Sequence, residues 1–247
     1  MNINEFVMSE DAVSEVLDFV ILLGIIIISL SVIALAGYPI LKKTQDHSHI
    51  EYTRQNFIKM AENFNKVPLG QAPSQIAEFY LYEGSFAVTG KSSINITATN
   101  STGQRIILAD TEMRSIEGTI GETAISYEGT GVWVKYPEGA TLNVYRPLIS
   151  SVGNSLVIPV VNLNGDSFIA GSGISSITVK GTPEVVHYNN ISGINIKINS
   201  RYEDGWKNYF RDILSWNECD TDECTVKLDV SGMDVYILFT QMDTVIK

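Results

Sequence analysis

Basic residues are scarce in this chain. Its 247 residues carry 17 Lys and Arg against 28 Asp and Glu, a formal net charge of −11. No basic run occurs, and the densest basic spot is the pair Lys42-Lys43. Phosphate recognition needs clustered Lys and Arg, so no nucleic-acid partner is expected. Cysteine is nearly absent as well. Only Cys219 and Cys224 occur, spaced C-x4-C, so a single internal pairing is available. A disulfide closing that short loop, formed in an oxidising compartment, is favoured over two free thiols. A metal site would want further Cys or His nearby, and the local sequence has none.

Catalytic signatures are missing too. There is no G-x-S-x-G elbow, no G-x-G-x-x-G fingerprint and no G-x-x-x-x-G-K-[ST] phosphate loop. His47 and His49 stand two apart on a predicted helix, which turns them to different faces and denies them a shared metal. His187 lies near a strand end and reads as structural or surface-borne. Glu218, Asp220, Asp222 and Glu223 offer oxygens to Ca²⁺, but without EF-hand spacing or its glycine they read as a solvated acidic loop. Neither a cofactor nor a catalytic residue is expected, and the chain does not read as an enzyme.

What is present is a long apolar run. Phe19 to Leu41 holds no charged residue. As a helix rising about 1.5 Å per residue it is long enough for the ~30 Å hydrocarbon core of a bilayer. A buried core helix is seldom this long and this uniformly apolar. A cleaved secretory signal is the rival reading, since Ala34-Leu35-Ala36 offers a small-x-small site. Against it, the leading segment is acidic, with Glu5, Glu10, Asp11, Glu15 and Asp18 and no Lys or Arg. The apolar run also continues past the site as Gly37-Tyr38-Pro39-Ile40-Leu41. Topology signals conflict. Acids before the run and Lys42-Lys43 after it would turn the large domain inward. Three N-x-S/T triplets, at Asn95, Asn100 and Asn190, are candidate glycosylation acceptors and point outward. The outside placement is preferred. Glu15 and Asp18 sit at the edge of the apolar run, either marking the membrane boundary or, for Glu15, meeting a positive group on a neighbouring chain.

Beyond Lys43, Ile50, Phe57, Met60, Ala61 and Phe64 form one apolar stripe at helical spacing. Its simplest use is packing on the chain's own globular domain. Pro39 should kink or briefly break the helix, which should end near Val67-Pro68-Leu69-Gly70. From about Gln75 the period changes to two. Expected strands are 76–82, 85–88, 93–99, 105–110, 123–127, 132–136, 141–147, 156–163, 174–180 and 194–199, with a final pair, 225–230 and 235–241, turning at Ser231-Gly232. Between these groups, 201–216 reads as a short helix with Trp206, Tyr209, Phe210, Ile213 and Leu214 on one face. The organisation expected is an acidic segment (1–18), a transmembrane helix (19–41), a helical stalk (42–70) and a β-rich extracellular domain (71–247). The fold class is α+β, mainly β: a long transmembrane helix, then an antiparallel β-sandwich-like head with one short amphipathic helix.

The segment Asp11-Ala-Val-Ser-Glu-Val-Leu-Asp-Phe-Val-Ile-Leu-Leu-Gly24 resembles the start of archaeal type IV pilin-like proteins, whose A-V-S-x-V opening runs straight into an apolar helix. Gly37-Tyr38-Pro39, Gly131-Val-Trp-Val-Lys-Tyr-Pro137 and the aromatic stretch Trp206-Lys-Asn-Tyr-Phe210 are similar to an uncharacterised family of that kind. The resemblance implies a membrane-held surface protein with an extracellular head, serving as a structural subunit or minor pilin. Its partners would be the membrane and copies of itself or other pilin-like subunits. In a chain starting at Asp11, Glu15 would be the fifth residue, the place of the pilin glutamate that pairs with a neighbour's N-terminal amine. Ser9-Glu10 and the lack of preceding Lys or Arg depart from the usual processing site, so a permanently anchored pseudo-pilin is a variant of the same reading. The alternative is an anchored β-domain binding glycans or cell-surface ligands through Trp133, Tyr136 and Tyr145, should these be exposed.

Overall fold

A segment that lies in an apolar medium must satisfy every backbone N–H and C=O within itself, and a helix does so. In the computed structural model, which describes residues 8–139, 141–213 and 224–247, the apolar run lies inside one 57-residue helix, α1 (Met8–Phe64). None of its most apolar stretch is buried by the protein. The few hydroxyls there turn back on the helix: Ser29 and Ser31 donate to the carbonyls of Ile25 and Ile27 at 2.7 Å. The helix is unbroken at Pro39. A proline removes a single N–H, and the helix-forming residues on both sides hold the segment helical despite that loss.

The chain divides into two compact units, one up to Ser48 and one from His49 to Lys247. In the second unit the expected stripe is where the helix meets the sheet. Phe57, Met60, Ala61 and Phe64 are fully buried, and Ile50 packs partly buried beside them. Phe57 lies against Phe79 and Phe86 with ring centres 5.7 and 5.8 Å apart, and Phe64 meets Tyr127 edge-on at 6.0 Å. The helix stops at Phe64, three residues short of the expected Val67-Pro68 boundary. Asn65 then turns its side chain into the head. Its amide donates to the Thr130 carbonyl at 2.9 Å, and its oxygen accepts the Tyr127 hydroxyl at 2.8 Å.

Among the described residues twelve strands make one branched sheet. They are β1 (Ser74–Thr89), β2 (Ser93–Asn100), β3 (Arg105–Glu112), β4 (Ser115–Ile120), β5 (Thr123–Glu128) and β6 (Gly131–Lys135). Then come β7 (Thr141–Tyr145), β8 (Ser150–Val152), β9 (Ser155–Asn164), β10 (Phe168–Lys180), β11 (Glu184–Asn199) and β12 (Cys224–Ile246). The path is β3-β2-β11-β12-β10-β1-β4-β5-β6-β7, with β9 and β8 branching from β12. All pairings are antiparallel except β9 with β12, which run parallel from Ser155–Asp234 to Asn164–Asp243.

Two hydrophobic cores result. One gathers the helix stripe with Phe79, Phe86, Ile116, Tyr127, Val134 and Ile177. The other gathers Ile96, Ile158, Ile196, Trp133, Trp206 and Phe210. Alternate residues of β5 and β6 face opposite cores, so Tyr127 and Val134 point to the first and Trp133 to the second. The second core is closed by α2 (Glu203–Asn208) and the π-helical turn Tyr209–Ile213 that extends it. Trp206, Tyr209 and Phe210 are buried there as the stripe predicts, whereas Leu214 lies outside the described residues.

Several boundaries differ from the expectation. The strands expected at 76–82 and 85–88 are one strand, because Glu83-Gly84 forms a bulge and not a turn. A β-carbon on Gly84 would stand 2.3 Å from the Thr119 carbonyl oxygen, so the glycine allows close approach to β4. Likewise β12 runs straight through Ser231-Gly232, where a hairpin was expected. Gly232 has φ +66° and faces Asn190, at φ +56°, where β11 is bulged. Left-handed conformations on both strands are absorbed as an irregularity in a long ribbon. β4 carries no clear alternation and was not expected at all; it is buried on both faces, which erases the period-two signal.

Asn65 supplies the first prediction. Asn65→Ala would leave the Tyr127 hydroxyl and the Thr130 carbonyl buried without partners, at about 1–3 kcal/mol each. The variant should lose about 2–6 kcal/mol of head stability, while Tyr127→Phe, which orphans only the asparagine oxygen, should lose less. Urea unfolding of the full-length chain in detergent, followed by near-UV circular dichroism, measures both.

Candidate functional site

The residues that the sequence singles out fall in separate places. Asp18 is exposed on α1, at the start of the apolar run. Glu15 belongs to the same helix. Cys219 and the acidic loop at Glu218, Asp220, Asp222 and Glu223 lie outside the described residues, so the pairing of Cys219 with Cys224 lies outside them as well. The three candidate aromatic contacts do not form a surface. Trp133 is fully buried, and Tyr136 and Tyr145 are partly buried against the first core. His49 stacks on Tyr82 at 4.3 Å and His187 on Tyr236 at 4.5 Å, both of them packing roles. Among the described residues no group of three or more His, Cys, Asp or Glu is placed to hold a metal.

The three sequons occupy distinct environments. Asn95 lies within β2, between Asp110 of β3 and Lys197 of β11. Asn100 ends β2 at the hairpin to β3. Its side-chain oxygen accepts from the Thr102 backbone N–H (3.1 Å), the Thr102 hydroxyl (2.6 Å) and the Gln104 backbone N–H (2.9 Å). Asn190 sits on the β11 bulge and reaches across to that hairpin. Its side-chain amide donates to the Ser101 hydroxyl at 2.7 Å, and its backbone carbonyl accepts the Ser101 N–H at 3.2 Å.

One constellation was not foreseen. Glu117 of β4 and Glu128 of β5 share a sheet face, because Glu117 pairs with Ser126 and Glu128 follows two residues on. Both reach the segment that leads into α2. Glu117 accepts from Arg201 at 2.7 Å and from the Tyr202 hydroxyl at 2.5 Å. Glu128 is 1% exposed and accepts from the Ser200 hydroxyl at 2.5 Å and the Trp206 indole N–H at 3.0 Å. The Glu128 backbone carbonyl takes the Trp133 indole N–H at 3.0 Å. Beside them opens a cavity of about 280 Å³, lined by Lys91, Ser115, Glu117, Glu128, Arg201 and Tyr202 among others.

The electrostatics follow from burial. Glu128 is held above the usual carboxyl range chiefly because burial penalises its charge, and the nearby Glu117 pushes the same way. The Ser200 and Trp206 hydrogen bonds oppose that shift without reversing it. Burial and then the Glu117 charge raise the Tyr202 hydroxyl above its ordinary value. The carboxylates are thus engaged by groups of one short segment, Ser200 to Trp206. Chemically the arrangement is a clamp that fixes α2 to the β4–β5 hairpin, with Glu128 able to hold a proton. Sequence reasoning missed it because Glu128-Gly129 reads as turn punctuation and β4 was not visible. The one available signal was an acid in phase with the alternating positions of 123–127.

The chain belongs to a family of unknown function (DUF7289), whose sequence pattern matches residues 12–245, taking in both the apolar helix and the head. No curated protein and no solved structure matches it.

A pH prediction follows from Glu128. A carboxyl held above its ordinary value of 4.5 adds stability that is complete below 4.5 and lost as pH rises through the raised value. Glu128→Gln keeps the accepting oxygen and removes the proton. Wild-type stability should therefore fall relative to the Gln variant as pH rises from 4 towards neutrality, read as the difference in urea midpoints of the two full-length chains.

Proposed function

We propose that this chain is a pilin-like membrane-anchored surface protein, a structural subunit or minor pilin of a type IV pilus-like system, with its head outside the cell. The observation that carries the reading is the division of labour along α1. Its first part presents apolar side chains that nothing in the protein covers, and its last part is built into the head's core. A helix apolar on every side has two stable environments, lipid and a bundle of similar helices. A subunit held first in the bilayer and later packed with its copies uses both.

In that scheme Glu15 has a specific task. A chain beginning at Asp11 carries a positive amine four residues before Glu15. Inside a bundle of apolar helices an unpaired carboxylate is costly, so pairing with a neighbour's amine favours one axial stagger over others. Asp18, one helical turn further on, lies at the boundary of the apolar run. The outside placement draws on the sequons and the resemblance, against the flanking charges. We assign the chain no catalytic role, since Glu117 and Glu128 are taken up in holding α2. The glycan-binding alternative loses Trp133, which is fully buried, and keeps only the partly buried Tyr136 and Tyr145.

N-terminal mass mapping of the native protein tests the proposal. The expected mature chain begins at Asp11 and associates with itself through the apolar helix. An intact Met1 with no oligomer would count against it, and a chain beginning after Ala36 would identify a secretory signal instead. Glu15→Leu should still insert into membranes but lose self-association, as read by crosslinking in native membranes.

A further inference from the structure

An N-x-S/T triplet works as an acceptor only if the asparagine amide nitrogen and the hydroxyl two residues later are both within reach. The three triplets here differ in both respects. At Asn95 the hydroxyl belongs to Thr97, which is 4% exposed and accepts from Arg105 at 3.4 Å. At Asn190 the amide nitrogen is already donated to Ser101, and the Ser192 hydroxyl donates to the carbonyls of Thr99 and Asn100 at 3.0 and 2.9 Å. Neither triplet combines an unpartnered amide nitrogen with an exposed hydroxyl.

Asn100 has both. Two of the three donors to its side-chain oxygen are backbone N–H groups, which can only donate, so that atom must be the oxygen and the other the nitrogen. Among the described residues that nitrogen has no hydrogen-bond partner, and it stands at a hairpin turn whose residues Ser101 to Gln104 are exposed. The Thr102 hydroxyl lies 2.6 Å from the asparagine oxygen, which fixes the carboxamide and the hydroxyl side by side. Asn190 contributes by anchoring Ser101 from the neighbouring strand, holding the turn in this form.

We infer that Asn100 alone among the three triplets is an N-glycosylation site, and that Asn190 is an unmodified brace for its hairpin. The donor class is a lipid-linked glycosyl phosphate, used by a membrane transferase on the outer side. The Asn100 amide nitrogen bonds to the anomeric carbon, the carbon–oxygen bond to the lipid phosphate breaks, and the electron pair leaves with that phosphate. One amide proton passes to a base of the transferase. The inference rests on the outside placement proposed above.

The test uses the full-length chain in its native cells. External protease on intact cells reports the placement of the head, and glycopeptide mass spectrometry of the purified protein reports the modification. The expected result is a digestible head with glycan at Asn100 and bare Asn95 and Asn190. Asn100→Asp keeps the accepting oxygen and so the turn, yet should abolish the glycan completely. Thr102→Ser should retain it and Thr102→Val should lose it. Asn190→Asp should leave Asn100 able to accept glycan while lowering the melting temperature. A digestible head with bare Asn100, or with glycan on Asn95 or Asn190, overturns the inference and leaves the placement standing. A head protected from external protease, with no glycan, overturns both.

Discussion

One helix in this protein has to be compatible with two environments. Over its first part it presents apolar side chains in every direction, and it is long and apolar enough to cross a membrane. From His49 onward it needs a single apolar stripe, because one side meets a sheet and the other meets water. Both demands fall on α1, and the head is arranged around the second. Phe57, Met60, Ala61 and Phe64 are the seed of the first core, and the strands that contribute Phe79, Phe86, Tyr127 and Ile177 are those that cover them. Asn65 then follows the helix and joins it to β5 and the β5–β6 turn by one hydrogen bond each. The head's packing therefore begins at the point where the helix changes character.

Long strands do the rest. β12, with 23 residues, borders β11, β10 and β9 along its length, so the two halves of the sheet are parts of one continuous pairing network. The sheet that carries β4 to β7 lies between the two cores, which is why β4 and β5 are buried on both faces. A strand in that position has few places for charge. Glu117 and Glu128 are tolerated there because Arg201, Tyr202, Ser200 and Trp206 reach them from the α2 segment. The same hydrogen bonds that satisfy the carboxylates hold the element that caps the second core. Polar satisfaction and packing are one feature here, and neither would persist without the other.

Much of this was legible beforehand. The apolar run, the helical stripe from Ile50 to Phe64, the change to period two near Gln75 and the aromatic face of α2 are all local patterns, and each corresponds to an element of the fold. What misled was punctuation. Glu83-Gly84 and Ser231-Gly232 carry the residues of turns, yet each lies within a strand, because a left-handed or Cβ-free residue serves a bulge as well as a hairpin. β4 escaped notice for the opposite reason: with both faces buried it has no alternation to read.

The sequence by itself determined that one segment is long and apolar enough to cross a membrane and that the remainder forms a strand-rich head, since both follow from the composition and period of neighbouring residues. Only the tertiary structure decided which strands pair, that Glu117 and Glu128 turn inward to one short segment, and that Trp133 is core and not surface. It also decided that, of three N-x-S/T triplets, Asn100 keeps an amide nitrogen with no partner among the described residues while Asn190 gives its own to Ser101. The physical reason is distance along the chain. Asn190 and Ser101 lie 89 residues apart, and Ser200 and Glu128 lie 72 apart. Contacts of that span are set by register and sheet order, which no local pattern encodes.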